Sequence, residues 1–283
     1  MPMSKTAQAA RAETPPPPLP LAVPVVDSHT HLDMQETTVA EALAKAEAVG
    51  VTQVVQIGCD VERARWAVAT AEEHPAVHAA VALHPNEAPR LAAEGGDAAL
   101  DAALAEIAEL AAHSSVVAIG ETGLDHFRTG DDGRAAQERS FRRHIALAKE
   151  LDKALVIHDR DAHEDVLRVL EDEGAPERTV FHCFSGDADF ARRCAEAGHY
   201  MSFAGNVTFK SAQPLRDALA VVPDHLLLVE TDAPFLTPAP YRGRPNAPYL
   251  IPYTLRVMAE VRATDETTLA THIAANTARA LRI

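Results

Sequence analysis

Cysteine is scarce in this sequence, with only three among 283 residues: Cys59, Cys183 and Cys194. None of them belongs to a Cys-x-x-Cys pair, and a sparse, odd set does not suggest a disulfide framework. We therefore predict reduced thiols in a cytoplasmic protein.

Long apolar runs and positive charge are also lacking. No apolar stretch approaches the ~18 residues of a membrane span, and no signal-peptide pattern opens the chain, so no membrane association is predicted. The formal net charge is −15, so the protein as a whole is not expected to cling to a polyanion. Any attraction for nucleic acid must be local, from bound metal ions and a few arginines.

Proline is concentrated at the N-terminus, where residues 1–21 are small and polar around Pro15–Pro18. Such a segment favours a disordered or polyproline tail, followed by a single domain over residues 22–283. From there, eight short apolar runs predict buried strands, with helical periodicity between them. The predicted strands are Val23–Asp27, Val51–Ile57, Val77–Leu83, Val116–Gly120, Ala154–His158, Thr179–His182, His199–Phe203 and Leu226–Thr231.

The alternation of apolar strands with helices indicates a parallel sheet covered by helices. Eight such units in about 260 residues fit a (β/α)₈ TIM barrel. A doubly wound open sheet is the alternative. No Gly-x-Gly-x-x-Gly follows the first strand, which disfavours the dinucleotide-binding version of that sheet.

Polar side chains collect where the predicted strands end. His29 and His31 follow the first strand two residues apart, so they face the same side. Later strand ends supply Glu121, His158, His182 and Asp232. Any one of these alone suits a surface, core or turn residue, but in a barrel all of them converge on one mouth.

Six such donors exceed the need of one tetrahedral metal ion, whereas two divalent ions sharing a carboxylate and a water use them all. Glu121 is the predicted bridge, and Asp232, beside the shared water, is the candidate general base. The mixed histidine and carboxylate set suits Zn²⁺ or Mn²⁺, while Mg²⁺ prefers mostly oxygen. Cys183, beside His182, is expected to face the core, since neighbouring strand residues point to opposite sides.

These motifs resemble the TatD family of metal-dependent hydrolases, over residues 23–283. The matching stretches are Asp27–Asp33, Gly120–Asp125, Ile157–His158, His182–Gly186, Gly205–Lys210, Glu230–Pro234 and Arg242–Asn246. The resemblance implies one metal ion on His29, His31, Glu121 and Asp232, and a second on Glu121, His158 and His182. His84-Pro85-Asn86 departs from the His-Pro-His that family members often carry, so one substrate-binding imidazole is absent.

The resemblance also implies a deoxyribonuclease, which we predict to act as a 3′–5′ exonuclease on DNA ends or single strands. His84, Arg242 and Arg244 are candidate substrate contacts, while Asp27 and Glu230 are either supports of the ligands or polar residues of the barrel core. Two other functions stay open: hydrolysis of a small ester or amide, such as an aminoacyl ester on tRNA, and a catalytically silent, metal-stabilised binding barrel. No obligate protein partner is evident.

Overall fold

The computed structural model describes residues 13–283 and contains one eight-stranded parallel sheet. The strands follow one another in sheet order from first to last, and the last returns to the first. They are β1 (Val25–Thr30), β2 (Val51–Gly58), β3 (Val77–Val81), β4 (Val116–Asp125), β5 (Ala154–Arg160), β6 (Thr179–Phe181), β7 (Tyr200–Phe203) and β8 (Leu227–Val229).

Closure of the barrel depends on contacts between its first and last strands. A parallel bridge joins Thr30 to Ala233, and Ser28 Oγ donates to the carbonyl of Val229 at 2.9 Å. The predicted (β/α)₈ TIM barrel is confirmed, and the sequential strand order excludes the doubly wound alternative.

Helices follow the strands around the outside of the barrel. They are α1 (Val39–Glu47), α2 (Val61–Glu73), α3 (Glu87–Ala111), α4 (Asp131–Glu150), α5 (His163–Glu173), α6 (Ala188–Glu196), α7 (Gln213–Val221), α8 (Ile251–Val261) and α9 (Glu266–Leu281). Local sequence fixes several starts: Thr38 and Glu41 form a capping box on α1, and Asp60 caps α2. None of the helices within residues 13–283 is both long and apolar enough to cross a bilayer.

Strand β4 runs five residues beyond its predicted end at Gly120. Its polar continuation keeps the ladder with β5, pairing Gly123 with His158. Only glycine fits there, because φ is +136° and a Cβ would lie 2.1 Å from the carbonyl oxygen of His158. This close approach brings the carboxylate of β4 within reach of the histidine of β5.

A disordered or polyproline tail is expected over residues 1–21; residues 13–21 pack against the barrel, while residues 1–12 lie outside the described part. Pro15 and Pro18 are buried, and Leu21 is 7% exposed. The segment is tied down mainly through its carbonyls: Tyr249 Oη donates to Pro15 at 2.6 Å and Arg256 Nη2 to Leu19 at 2.8 Å. Proline has no amide hydrogen to donate but keeps its carbonyl as an acceptor. In this protein, side chains of the barrel donate to those carbonyls.

We expect a chain that starts at residue 22 to be less stable than one that starts at residue 13, by about 2 kcal/mol. Burial of Leu21 contributes ~1.5–3 kcal/mol and each hydrogen bond ~1 kcal/mol, offset in part by the entropy of ordering the segment. Urea unfolding of the two truncated chains measures the difference. Equal unfolding free energies would show that the segment does not stabilise the barrel.

Candidate metal centre

The six predicted ligands meet at the carboxyl-terminal mouth of the barrel, as the sequence pattern predicted. All are buried or nearly so: His29 is 0% exposed, and the most open side chain, that of His158, is 18% exposed. The residues lie on or just after β1, β4, β5, β6 and β8, so five separate strands supply them. The structure therefore brings together side chains that span 204 positions of sequence.

Glu121 lies at the centre of this group, and its two carboxylate oxygens face different histidines. Oε1 lies 3.7 Å from His29 Nε2 and 3.8 Å from His31 Nε2. Oε2 lies 3.0 Å from His158 Nδ1 and 2.8 Å from His182 Nε2. One carboxylate thus joins two separate sets of donors.

Asp232 lies beside the two histidines that face Glu121 Oε1. Its Oδ1 atom lies 3.4 Å from His31 Nε2 and 3.7 Å from His29 Nε2. Ligand atoms held about 2.05 Å from a tetrahedral zinc ion are roughly 3.4 Å apart, so these separations suit a metal ion. The backbone amide of Asp232 donates to the carbonyl of His29 at 2.9 Å, which ties this residue to β1.

The imidazole of His29 gives an independent sign that the cluster fits a metal ion. Within residues 13–283, neither Nδ1 nor Nε2 of this fully buried ring has a hydrogen-bond partner. Burial, together with the charge of His182, lowers the pKa of His29, so the ring stays neutral. A neutral imidazole with a free lone pair is a good metal ligand, and binding an ion would satisfy it.

Glu121 is ionised despite its burial. Desolvation acts to raise its pKa, but the charge of His182 and the hydrogen bonds from His158 and His182 hold it well below the usual range. The centre therefore presents a carboxylate to either set of histidines.

Carboxylates behind the ligands orient their rings. Asp125, which the sequence interpretation left unassigned, lies 3.3 Å from His158 Nε2. Glu230 lies 3.3 Å from His182 Nδ1 and accepts from the Cys183 amide at 2.9 Å. Such contacts fix which nitrogen of a ligand histidine faces the metal.

Asp27 accepts hydrogen bonds from backbone amides rather than contacting an imidazole ring. It accepts from the Thr231 amide at 2.9 Å and from the His29 amide at 3.3 Å, linking the ends of β8 and β1. Burial raises the pKa of Asp27 to about 7, against those hydrogen bonds. Both Asp27 and Glu230 thus contact the ligand-bearing segments.

Of the three candidate substrate contacts, the structure places one at the cavity and two away from it. His84 lines the cavity over the centre, with Nε2 3.8 Å from Glu121 Oε2. Arg242 and Arg244 lie outside that lining: Arg242 stacks on Phe209 at 4.3 Å and Arg244 lies 3.7 Å from Glu13. The loop after β8 therefore does not bring these two arginines to the metal centre.

The departure from His-Pro-His has a structural counterpart. Asn86 donates its amide hydrogen to His84 Nδ1 at 3.1 Å, and its side chain donates to Asp125 Oδ2 at 3.2 Å. Asn86 thus orients His84 and braces the carboxylate behind His158.

Sequence reasoning misplaced one cysteine and overlooked another. Strand β6 ends at Phe181, so strand alternation no longer applies at Cys183, which has a φ of +42° and lines the cavity. The expected core position of Cys183 is therefore wrong. Cys59, just after β2, also lines the cavity, and its Sγ lies 3.3 Å from Glu121 Oε1.

The cavity above the centre has a volume of about 690 Å³ and a rim that combines arginine with aromatic side chains. Arg128 and Arg160 line it and pair with no carboxylate of residues 13–283, whereas Arg63 lies 3.6 Å from Asp33. The Arg160 guanidinium lies 3.9 Å from the ring centre of Phe127, which is 62% exposed. Phe235, 50% exposed, flanks the opposite side beside His31.

Comparison with known proteins places this site in a family. The family model described as TatD related DNase matches residues 26–282. The chain belongs to the TatD family. The uncharacterized metal-dependent hydrolase TatD of Mycobacterium tuberculosis is 48% identical over 256 residues, covering 87% of this chain and 94% of that protein.

Further TatD relatives agree in length and fold. The uncharacterized metal-dependent hydrolase YabD of Bacillus subtilis is 38% identical over 91% of this chain and 98% of its own. The crystal structure of YjjV, a TatD homologue from Escherichia coli K12, superposes with a TM-score of 0.82 at 28% identity, covering 92% and 98% of the two chains. This TatD-family chain is accordingly a metal-dependent hydrolase with clustered histidine and carboxylate donors.

Proposed function

We propose that this protein is a deoxyribonuclease that removes nucleotides from the 3′ end of single-stranded DNA, with two divalent metal ions. The proposal rests on the position of Glu121, whose two carboxylate oxygens face different pairs of histidines. Its Oε1 faces His29 and His31, and its Oε2 faces His158 and His182. A carboxylate between two sets of donors is the arrangement that a two-metal phosphodiesterase uses.

In this proposal Glu121, His29, His31 and Asp232 would hold one ion. Glu121, His158 and His182 would hold the other. When bound, such a pair lowers the pKa of a shared water and neutralises charge on a phosphodiester oxygen.

Asp232 is the proposed proton acceptor. Although burial acts to raise its pKa, hydrogen bonding from His31 and the charges of His31 and His182 lower it, so the carboxylate is ionised near neutral pH. It faces the cavity with 15% of its side chain exposed. His84 is proposed to contact the substrate as a neutral imidazole, because burial lowers its pKa to about 4.

The rim of the cavity favours a nucleic-acid strand over a small ester. Arg128 and Arg160, which pair with no carboxylate in the described part of the chain, provide the local positive charge that phosphates need on a chain of net charge −15. Phe127 and Phe235 present exposed aromatic faces on which unpaired bases stack. The bases of a duplex are stacked on one another and are not free to stack on these phenylalanine rings. The rings therefore favour a single strand.

The test uses metal-free protein reloaded with Mn²⁺, Zn²⁺ or Mg²⁺ and a single-stranded oligonucleotide labelled at its 5′ end. We expect a ladder of products that shortens from the 3′ end, and little shortening of an oligonucleotide whose 3′-terminal linkages are phosphorothioates. Protein carrying Glu121→Gln, purified in parallel, controls for contaminating nucleases.

Two outcomes would contradict the proposal. Loaded protein that leaves DNA intact but releases the amino acid from an aminoacyl-tRNA would be an esterase. Loaded protein that hydrolyses neither substrate would favour a silent binding barrel.

A further inference from the structure

A thiol lies among the oxygen and nitrogen donors of the metal centre. Cys59 Sγ lies 3.3 Å from Glu121 Oε1 and 4.0 Å from His31 Nδ1. The same carboxylate oxygen faces His29 and His31, which belong to the proposed first metal ion. His31, Cys59 and Glu121 thus form a compact triad, with ligand atoms all within 4.8 Å of one another.

The histidine next to this triad is suited to bind a cation. His29 is 0% exposed, neither of its ring nitrogens has a hydrogen-bond partner among residues 13–283, and Nε2 lies 3.7 Å from Glu121 Oε1. A buried, unpartnered polar atom is costly unless an ion or donor satisfies it. The thiol of Cys59 and the imidazole of His29 therefore converge on the same carboxylate oxygen.

We propose that Cys59 is an additional ligand of the ion at Glu121 Oε1, and that its sulfur tunes this site toward thiophilic metals. The inference rests on the proposed assignment of His29 and His31 to that ion. On binding, the S–H proton leaves to solvent and the sulfur donates its lone pair to the metal. Soft thiolate donors favour Zn²⁺, Cd²⁺ or Co²⁺ over Mg²⁺ and Mn²⁺.

The second thiol in the cavity provides a matched control. Cys183 Sγ lies 4.0 Å from Asn206 Nδ2, and Cys183 belongs to none of the compact donor groups found among residues 13–283. Cys194, the third cysteine, is buried within α6. Serine at either position should therefore leave the metal centre unchanged.

The experiment is a Co²⁺ titration of the metal-free full chain, followed by absorption spectroscopy. Any bound Co²⁺ gives visible d–d bands, whereas only a thiolate ligand adds a sulfur-to-cobalt charge-transfer band in the near ultraviolet. We expect both in the wild type, in Cys183→Ser and in Cys194→Ser. Cys59→Ser should keep the d–d bands and lose the charge-transfer band.

Metal competition gives a second readout that does not depend on activity. Cys59→Ser should weaken Cd²⁺ binding about tenfold or more, the range typical of damage to a metal site, while Mn²⁺ affinity changes little. A parallel loss for both ions would mean that Cys59 only positions Glu121 through its S–H hydrogen bond, and would overturn the proposal.

The wild-type spectrum separates this inference from the proposed function, even if the serine variant fails to fold. Visible bands without a charge-transfer band would reject Cys59 as a ligand and leave the two-metal nuclease intact. A charge-transfer band that disappears in Cys183→Ser would reject the assignment to Cys59. Absence of all cobalt bands would overturn the metal assignment together with the role of Cys59.

Discussion

Replacing Glu121 by glutamine is expected to empty most of the metal centre and to lower kcat at least about 10³-fold. Glutamine keeps the size of the side chain but presents an amide nitrogen, which cannot bind a metal ion, to one set of histidines. It also removes the negative charge that both sets share. Metal ions contribute several kcal/mol to transition-state stabilisation, and about 1.4 kcal/mol is tenfold in rate, so the loss is large.

Metal analysis by mass spectrometry, together with the oligonucleotide assay, measures both effects of Glu121→Gln. Glu87→Gln is the matched control, because Glu87 lines the same cavity but bonds to Arg90, at 2.9 Å from Nε. The control should retain the wild-type metal content and rate. A Glu121→Gln protein with full metal content would show that this carboxylate does not bridge the two sets of donors.

The elements of the barrel were predictable because fully buried parallel strands form apolar runs in the sequence. All eight predicted runs correspond to strands, but their ends were less predictable. The rule that a polar residue ends a strand placed the end of β4 at Gly120, whereas the ladder continues through Gly123 to Asp125. At a functional mouth, polar side chains belong to the strand itself.

Helix α3 and the N-terminal segment show a different limit of prediction from local sequence. Gly96 breaks α3 with a φ of +68°, so helical periodicity does not run through the whole element, whose first segment begins at Glu87. Residues 13–21 are ordered by donors from Tyr249 and Arg256, more than 200 positions away. Local composition carries no information about such distant partners.

The grouping of the candidate ligands was predictable because period-two spacing and strand-end position fix which side chains share the mouth. The structure indeed brings His29, His31, Glu121 and Asp232 together. Cys59 and Asp125 were not predictable in the same way, because a lone thiol and a single aspartate suit many structural roles. Only their distances to Glu121 and His158 reveal their place in the centre.

Asp232→Asn is expected to lower kcat on single-stranded DNA by about 10²–10⁴-fold, the usual contribution of a general base, while substrate binding stays measurable. Asparagine keeps one oxygen toward His31 and His29 but can no longer accept a proton. The backbone should tolerate the change, because φ at this position is +52° and asparagine adopts the left-handed region more readily than most residues.

The decisive comparison for Asp232→Asn is turnover at equal metal content, because a lost ligand would also abolish activity by emptying a site. Asp60→Asn is the matched control: Asp60 lines the same cavity, but its carboxylate caps α2 by accepting from the Arg63 amide at 2.8 Å. Asparagine caps helices as well as aspartate does, so this variant should behave as the wild type. If Asp232→Asn retains both metal ions and cleaves DNA at a near wild-type rate, the proton acceptor must be another group. His84, which faces Glu121 Oε2 across the cavity, would then be the next residue to replace.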